Sequence, residues 1–333
     1  MQILNSLWVD ENNNVPHFGL PPLDHMSCTS LDARMAAGKT QTKAPIVELM
    51  SMAPGDGKTS LLYHLIATAV LPSVLGGRQA AVVMLDTDGR LSIYRLRQQI
   101  HNIAQRSPQA KGCGSMDETA LSALEHVHVL RPQSLASTVA TARSLEQYLL
   151  NANNHHSFER HIAFIALDSA ASFYWQHRAD TEEFALMAGT ASSKSMSQPT
   201  GYVQLAAALK NASKALHAPV IFTSWHLGPV KDANVNGFAL EGHSVRPSLP
   251  PPWQDLPTLR LIVQRTPVRK LPVEISLEEA RQESEQRQRV VEQGRFECFV
   301  NEWGVDERTL RTLRSGLEFY VKQEGVRIED CKD

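Results

Sequence analysis

A lysine and a hydroxyl residue placed directly after a glycine turn are suited to gripping the phosphate tail of a nucleotide. Lys58 and Thr59 stand in that position, within Ala53-Pro54-Gly55-Asp56-Gly57-Lys58-Thr59-Ser60. Glycines let consecutive backbone N–H groups turn toward an anion, and the N-terminus of a following helix adds partial positive charge. The lysine of such a loop reaches the β- and γ-phosphates of ATP, and the next hydroxyl ligates Mg²⁺. Residues 53 to 60 are therefore expected to cradle ATP, with Thr59 on the metal. Asp168 ends the apolar run His161-Ile162-Ala163-Phe164-Ile165-Ala166-Leu167. A carboxylate at the end of a strand downstream of a phosphate loop is suited to orienting the same Mg²⁺. The plainer alternative is an aspartate that caps its strand.

The flanking residues supply the context this chemistry needs. Ile46-Val47-Glu48-Leu49-Met50 reads as a buried strand before the turn, and Lys58 to Leu71 as a helix after it, stopped at Pro72. The full pattern G-x-x-x-x-G-K-[ST] places its first glycine at position 52, where Met52 stands, so a less well shaped turn is expected. A second Gly-Lys-Thr occurs at Gly38-Lys39-Thr40. It follows Leu31-Asp32-Ala33-Arg34-Met35-Ala36, which has no strand character, and the context excludes it as a nucleotide loop.

Further apolar runs repeat the arrangement. Ala80 to Leu85 leads into Asp86-Thr87-Asp88-Gly89, and Pro219 to Phe222 leads into Thr223-Ser224. Continuous apolar runs suit parallel strands covered on both faces. Helical spacing over Leu91 to Ala104, Ser137 to Leu150 and Tyr202 to Leu216 places helices between them. Val127 to Leu130 adds a short strand. Strands alternating with helices predict an α/β fold, a mostly parallel twisted sheet with helices on both faces. The ends of the strands carrying Met50, Asp88, Asp168 and Ser224 would then share one edge, where such sheets bind ligands. Leu259 to Gln264 and Arg295 to Asn301 read as a closing strand pair around the charged helix Leu277 to Gln293.

The domain organisation follows. Residues 1 to 27, polar and proline-containing, read as a flexible arm. Residues 28 to 303 form the core, with a charged helical insertion at 267 to 294. Residues 304 to 333 read as a C-terminal helix, because Leu310, Leu313, Leu317 and Tyr320 fall at helical spacing. Residues 106 to 118 and 177 to 200 read as loops, the second mobile. His155 and His156 read as a solvated loop, not a metal site, because adjacent residues rarely share an ion.

Composition bounds the class. The 333 residues carry a formal net charge of -2 and 42% hydrophobic residues, enough for a real core and too little positive charge to coat nucleic acid by bulk electrostatics. Cys28, Cys113, Cys298 and Cys331 form no C-x-x-C pair, which fits reduced thiols in the cytosol or nucleus. No signal peptide or membrane-length apolar run is read in the sequence.

Taken together, Ile46 to Pro72, Leu85-Asp86-Thr87-Asp88, the segment Leu167 to Trp175 with Phe173-Tyr174-Trp175, and Trp253 before Leu259-Arg260-Leu261 resemble the paralogues of the eukaryotic RecA-type recombinases. The resemblance covers residues 44 to 301. It implies a RecA-like P-loop NTPase fold, a nuclear location and a role in DNA repair by homologous recombination. There the chain would act with other RecA-type recombinase paralogues to help a filament assemble on single-stranded or branched DNA. Carried over by residue, it places Lys58 and Thr59 on phosphate and Mg²⁺ and Asp168 on the metal. Asp88 falls where active recombinases carry a water-activating glutamate, and is one methylene shorter. Trp225, in Thr223-Ser224-Trp225, falls where they carry a γ-phosphate-sensing glutamine, whose hydrogen bond an indole does not reproduce. With Met52, these departures imply nucleotide binding with weak or absent hydrolysis.

Residues 226 to 252 fall where the family places its second DNA-contacting loop. They offer Lys231, His243 and Arg246 against Asp232 and Glu241, a thin balance for neutralising phosphates. An inert surface loop, with Trp225 in the core, is the competing expectation. Phe173, Tyr174 and Trp175 are expected to pack, within the domain or against another subunit. Two other readings compete for the whole chain: a DNA-stimulated ATPase active on its own, and a small-molecule kinase. The kinase reading needs an arginine-rich lid, which the sequence lacks.

Overall fold

A computed structural model of the chain describes residues 17–40, 42–112, 115–187, 201–227, 243–266, 268, 275–313 and 316–328. Among the described residues nine strands form one sheet in the order β3-β2-β4-β5-β1-β6-β7-β8-β9. They are β1 Ile46–Ser51, β2 Ala81–Asp86, β3 Val127–Leu130, β4 Ile162–Asp168, β5 Val220–Trp225, β6 Leu259–Arg265, β7 Arg295–Val300, β8 Leu317–Lys322 and β9 Gly325–Ile328. The first six in chain order run parallel, and β7 to β9 extend the sheet antiparallel beyond β6. This is the mostly parallel α/β fold that the apolar runs predict, consistent with the RecA-like fold that the family resemblance implies.

Side-chain alternation divides the core in two. Val82 and Met84 of β2 join one cluster with Val47 and Leu49 of β1. Val83 and Leu85 join the other with Ile165 and Leu167 of β4. The first face is covered by α1 Pro21–Ala36, α2 Lys58–Val70, α3 Ile93–Arg106 and α4 Met116–Leu124. The second is covered by α5 Leu135–Leu149 and α7 Gly201–Leu216, with Trp253 buried between Tyr202 and Phe222. A strand with apolar residues at every position can satisfy both faces at once.

The structure revises several sequence expectations. The arm does not extend to residue 27. Phe18, Leu20, Leu23 and Met26 are buried in the first core cluster. The polar residues among them are used inside: the Asp24 carboxylate accepts from the backbone N–H of Phe18 at 2.6 Å and of Leu20 at 3.0 Å, bracing the chain where it enters α1. Part of the expected loop 106–118 is helical, with α4 beginning at Met116, capped by Ser115. The mobile loop expected from residue 177 begins instead as helix α6, Tyr174–Met187; residues 188–200 lie outside the described residues.

The C-terminal helix is also corrected. After a short helix, α9 Glu307–Thr312, the chain forms the hairpin β8–β9. Leu317 and Phe319 are buried while Glu318 and Tyr320 are only partly so, a period of two that the helical spacing of Leu310, Leu313 and Leu317 masks. The charged insertion is a helix, α8 Leu277–Gln293, opened by a Ser276–Glu279 capping box and closed by Gly294, and most of its described side chains are exposed.

One buried charge pair ties the sheet centre together. The Arg260 guanidinium on β6 meets the Glu48 carboxylate on β1 at 2.8 Å, and the Ser224 hydroxyl of β5 donates to the other Glu48 oxygen at 2.6 Å. A charge inside a parallel sheet persists only when paired and hydrogen-bonded. The network links β6 to β1 and β5, two of the strands whose ends frame the site.

Candidate nucleotide site

The site lies at the C-terminal ends of β1, β2, β4 and β5. Parallel pairing places Met50 beside Ser224 and Ser51 beside Trp225, and Asp86 beside Asp168. The turn after β1 leads through Gly55 and Gly57, at φ +81° and +93°, into α2, whose first residue is Lys58. Gly57 is required twice over. Its backbone is left-handed, and a Cβ there would lie 2.7 Å from Phe296 and 3.0 Å from Phe319. Those rings, from β7 and β8, stack 5.3 Å apart, so the hairpin that sequence reasoning misread forms part of the wall behind the loop. Met52 does not need the missing glycine: it is not among the positive-φ residues, and its side chain packs on a small cluster of Met50, Val245, Ile262 and Phe299.

The sequence-predicted residues converge. The Thr59 hydroxyl donates to one Asp168 oxygen at 2.8 Å, and Thr223 donates to the other. The Asp168 side chain is buried, and burial pushes its carboxyl above the usual range while the two hydroxyls oppose the shift. The Lys58 ammonium is buried as well, and desolvation lowers it to about 8 against the pull of Asp168, Asp56 and Asp88. It donates to the Ser51 hydroxyl and lies over the Trp225 ring, 4.1 Å from its centroid. Within the loop, Asp56 accepts from the Ala53 N–H at 2.9 Å, and burial raises its carboxyl. Ala53, Pro54 and Gly55 are exposed at the mouth, and Ser60 is half-buried on the first turn of α2.

Asp88 lies beside this set, with its backbone N–H donating to the Asp168 carbonyl at 3.3 Å. Its carboxylate accepts from the Ser172 hydroxyl, which also pairs with Thr87 Oγ1 at 2.9 Å. Phe173 and Tyr174 are half-buried, with Tyr174 packing on Tyr202, while Trp175 is 56% exposed.

Trp225 is half-buried, on the second core cluster on one side and Lys58 on the other, and is not sealed in the core. Of the expected DNA loop, His243 and Arg246 are exposed; Lys231, Asp232 and Glu241 lie outside the described residues. Sequence reasoning missed Ser51, Ser172 and Thr223 as partners in the site. A serine or threonine at a strand end gives no pattern of its own. Glu48 did leave a signal, since a lone carboxylate within an apolar run must have a partner inside.

The histidine pair resolves differently from a solvated loop. His155 is half-buried, and its ring stands 4.9 Å from His128, while His156 is exposed. His126 and His128 both hydrogen-bond the Ser157 hydroxyl. Among the described residues no group of His, Cys, Asp and Glu is arranged to hold a metal ion, and no helix is long and apolar enough to cross a membrane.

Comparison with known proteins bears on the same segments. The chain is 32% identical over 126 residues to DNA repair protein XRCC2 of Mus musculus, covering 37% of this chain and 39% of that protein. It is 32% identical over 89 residues to DNA repair protein RAD51 homolog 3 of Dictyostelium discoideum, covering 27% of this chain and 20% of that protein. Both matches support a RecA-type recombinase paralogue. The chain spans about two fifths of one of these relatives and one fifth of the other. No family model matches it.

Proposed function

We propose that this paralogue binds ATP and Mg²⁺ at the Lys58 loop and serves in the nucleus as a subunit in homologous-recombination repair. It would act with other RecA-type recombinase paralogues to help a recombinase filament assemble on single-stranded or branched DNA. The observation that carries the reading is the Thr59–Asp168 contact of 2.8 Å on the first turn of the helix that Lys58 opens. Residues 53 to 60 would hold the phosphates. A hydroxyl and a carboxylate are the hard oxygen donors Mg²⁺ takes, and bound Mg²⁺ supplies charge neutralisation on the phosphate oxygens. A Cβ at Gly55 would meet nothing within 4 Å, which leaves room at the mouth of the loop.

Weak or absent hydrolysis fits the two remaining positions. The Asp88 carboxylate is shared with Ser172, which competes with any water for it. Trp225 offers a ring face to Lys58 and has no side-chain amide to donate to a terminal phosphate. The repair role rests on the names of the two relatives, both DNA repair proteins, and the nuclear location on that role. A second reading, a DNA-stimulated ATPase in its own right, is favoured by the intact set Lys58, Thr59 and Asp168. Phosphate release with and without single-stranded DNA separates the two. Turnover that rises with DNA and vanishes in Lys58→Ala overturns the assembly reading, and turnover at background in both conditions supports it.

A further inference from the structure

The end of β5 carries an arrangement that phosphate binding alone does not explain. Parallel register sets Ser51 of β1 against Trp225 of β5, and both reach the same atom. The Lys58 ammonium donates to the Ser51 hydroxyl while the indole lies beneath it at 4.1 Å. The backbone on either side is tied down: the His226 N–H donates to the Ser51 carbonyl at 3.0 Å, the Ser51 hydroxyl donates to the Ala53 carbonyl at 3.1 Å, and the Leu227 N–H donates to the Ser248 hydroxyl at 2.9 Å. The other charges that act on the ammonium are Asp168, Asp56, Asp88 and Arg90, so the indole is a neutral wall among ionised groups.

We propose that Trp225 is a positioning residue for nucleotide: its indole face, together with the Ser51 hydroxyl, fixes the Lys58 ammonium so that its remaining N–H groups are presented to phosphate. The inference rests on the nucleotide reading above and adds to it the residue that pre-organises its cation. A lysine side chain has a flexible four-carbon stem, and holding its head in place costs rotamer entropy. An aromatic face attracts an ammonium through its quadrupole, most strongly for Trp and more weakly for Phe, while an aliphatic side chain offers no such attraction. Fixing the head before phosphate arrives removes part of the ordering cost from binding. Because indole and ammonium are in contact, a phosphate that engages Lys58 also changes the electrostatic surroundings of the indole, so nucleotide binding should be visible in the emission of this tryptophan.

The test is a calorimetric titration of Mg²⁺–ATP into the full chain, wild type, Trp225→Phe and Trp225→Leu, with indole emission and melting temperature recorded beside it. The expected affinities fall in the order Trp, Phe, Leu, roughly threefold and roughly tenfold below wild type, with melting temperatures close together. The wild-type emission should change saturably at the calorimetric midpoint, and the change should be lost in Trp225→Phe. A Leu variant that binds as tightly as wild type, or an emission change that survives in Trp225→Phe, overturns the inference while leaving the nucleotide reading intact. If Trp225→Leu does not fold, the affinity and emission of Trp225→Phe decide it. Absence of any binding heat in wild type overturns the nucleotide reading itself, and this inference with it.

Discussion

The chain contains Gly-Lys-Thr twice, at opposite ends of two helices. Gly57-Lys58-Thr59 opens α2 after a buried strand, with Gly57 left-handed at φ +93° and Lys58 buried. Gly38-Lys39-Thr40 follows the end of α1, where the N–H groups of Gly38 and Lys39 bond back to the carbonyls of Met35 and Arg34 at 3.0 and 2.9 Å. Backbone N–H groups are thus spent at the second site on closing a helix, and the partial charge there is negative. Lys39 is exposed. The same three residues open a helix after a glycine turn in one place and close a helix in the other. Chemistry belongs to the element that presents a motif, and the tripeptide alone does not carry it.

Paired substitutions put that contrast under strain. The largest difference is expected from the lysines: Lys58→Ala should weaken Mg²⁺–ATP binding by a hundredfold or more, about 3 kcal/mol, while Lys39→Ala leaves it unchanged. Fluorescent nucleotide displacement measures both, and equal losses in the two variants would refute the assignment. The glycines come next. Gly57→Ala combines a positive φ with overlap against Phe296 and Phe319, and should cost about 3 kcal/mol of unfolding free energy. Gly38→Ala, at φ +67° with nothing within 4 Å, should cost about 1 kcal/mol. Urea unfolding of the two variants checks the ratio.

A smaller effect separates the helices by pH. His64 on α2 is held neutral, with burial lowering it to about 4, and its Nδ1 pairs with Gln99 at 3.2 Å. Its unfolded value is about 6.5, so below that pH the unfolded chain takes up a proton that the folded chain refuses. Stability should therefore fall as pH drops from 6.5 toward 4, by about 2 kcal/mol at pH 5 from this group. His128 is lowered to about 4 in the same direction. Replacing His64 with Gln should flatten part of the acid slope in pH-dependent unfolding; an unchanged slope would show that His64 does not contribute.

How far the molecule was legible follows from the same physics. The parallel part of the sheet was plain, because strands buried on both faces write themselves as apolar runs, and those of β1, β2, β4 and β5 lead into the site. Lys58, Thr59 and Asp168 could be brought together from fold logic alone. The hairpin β8–β9 was misread because Leu310, Leu313 and Leu317 mimic a helical stripe, and only the alternation through Phe319 and Val321 reveals the strand. The N-terminal segment looked like a surface tail because residues 1 to 27 are polar and proline-containing. Asp24 and Ser27 are nonetheless buried by bonding backbone, as is Ser30 just beyond them, which donates to the Thr258 carbonyl at 2.6 Å. The Lys58–Trp225 contact depends on which strands are neighbours, and β1 and β5 lie adjacent in the sheet yet far apart in sequence.

The central claim is that Thr59 and Asp168 hold the metal of a nucleotide gripped by Lys58, and the dependence of ATP binding on Mg²⁺ tests it most directly. Calorimetry of ATP binding with Mg²⁺ and with chelator should show tighter binding with the metal in the wild-type chain. In Asp168→Asn the difference should shrink by about tenfold, with ATP still bound. A wild-type chain that binds ATP equally with and without Mg²⁺, or an Asp168→Asn chain with the full metal dependence, would contradict the account.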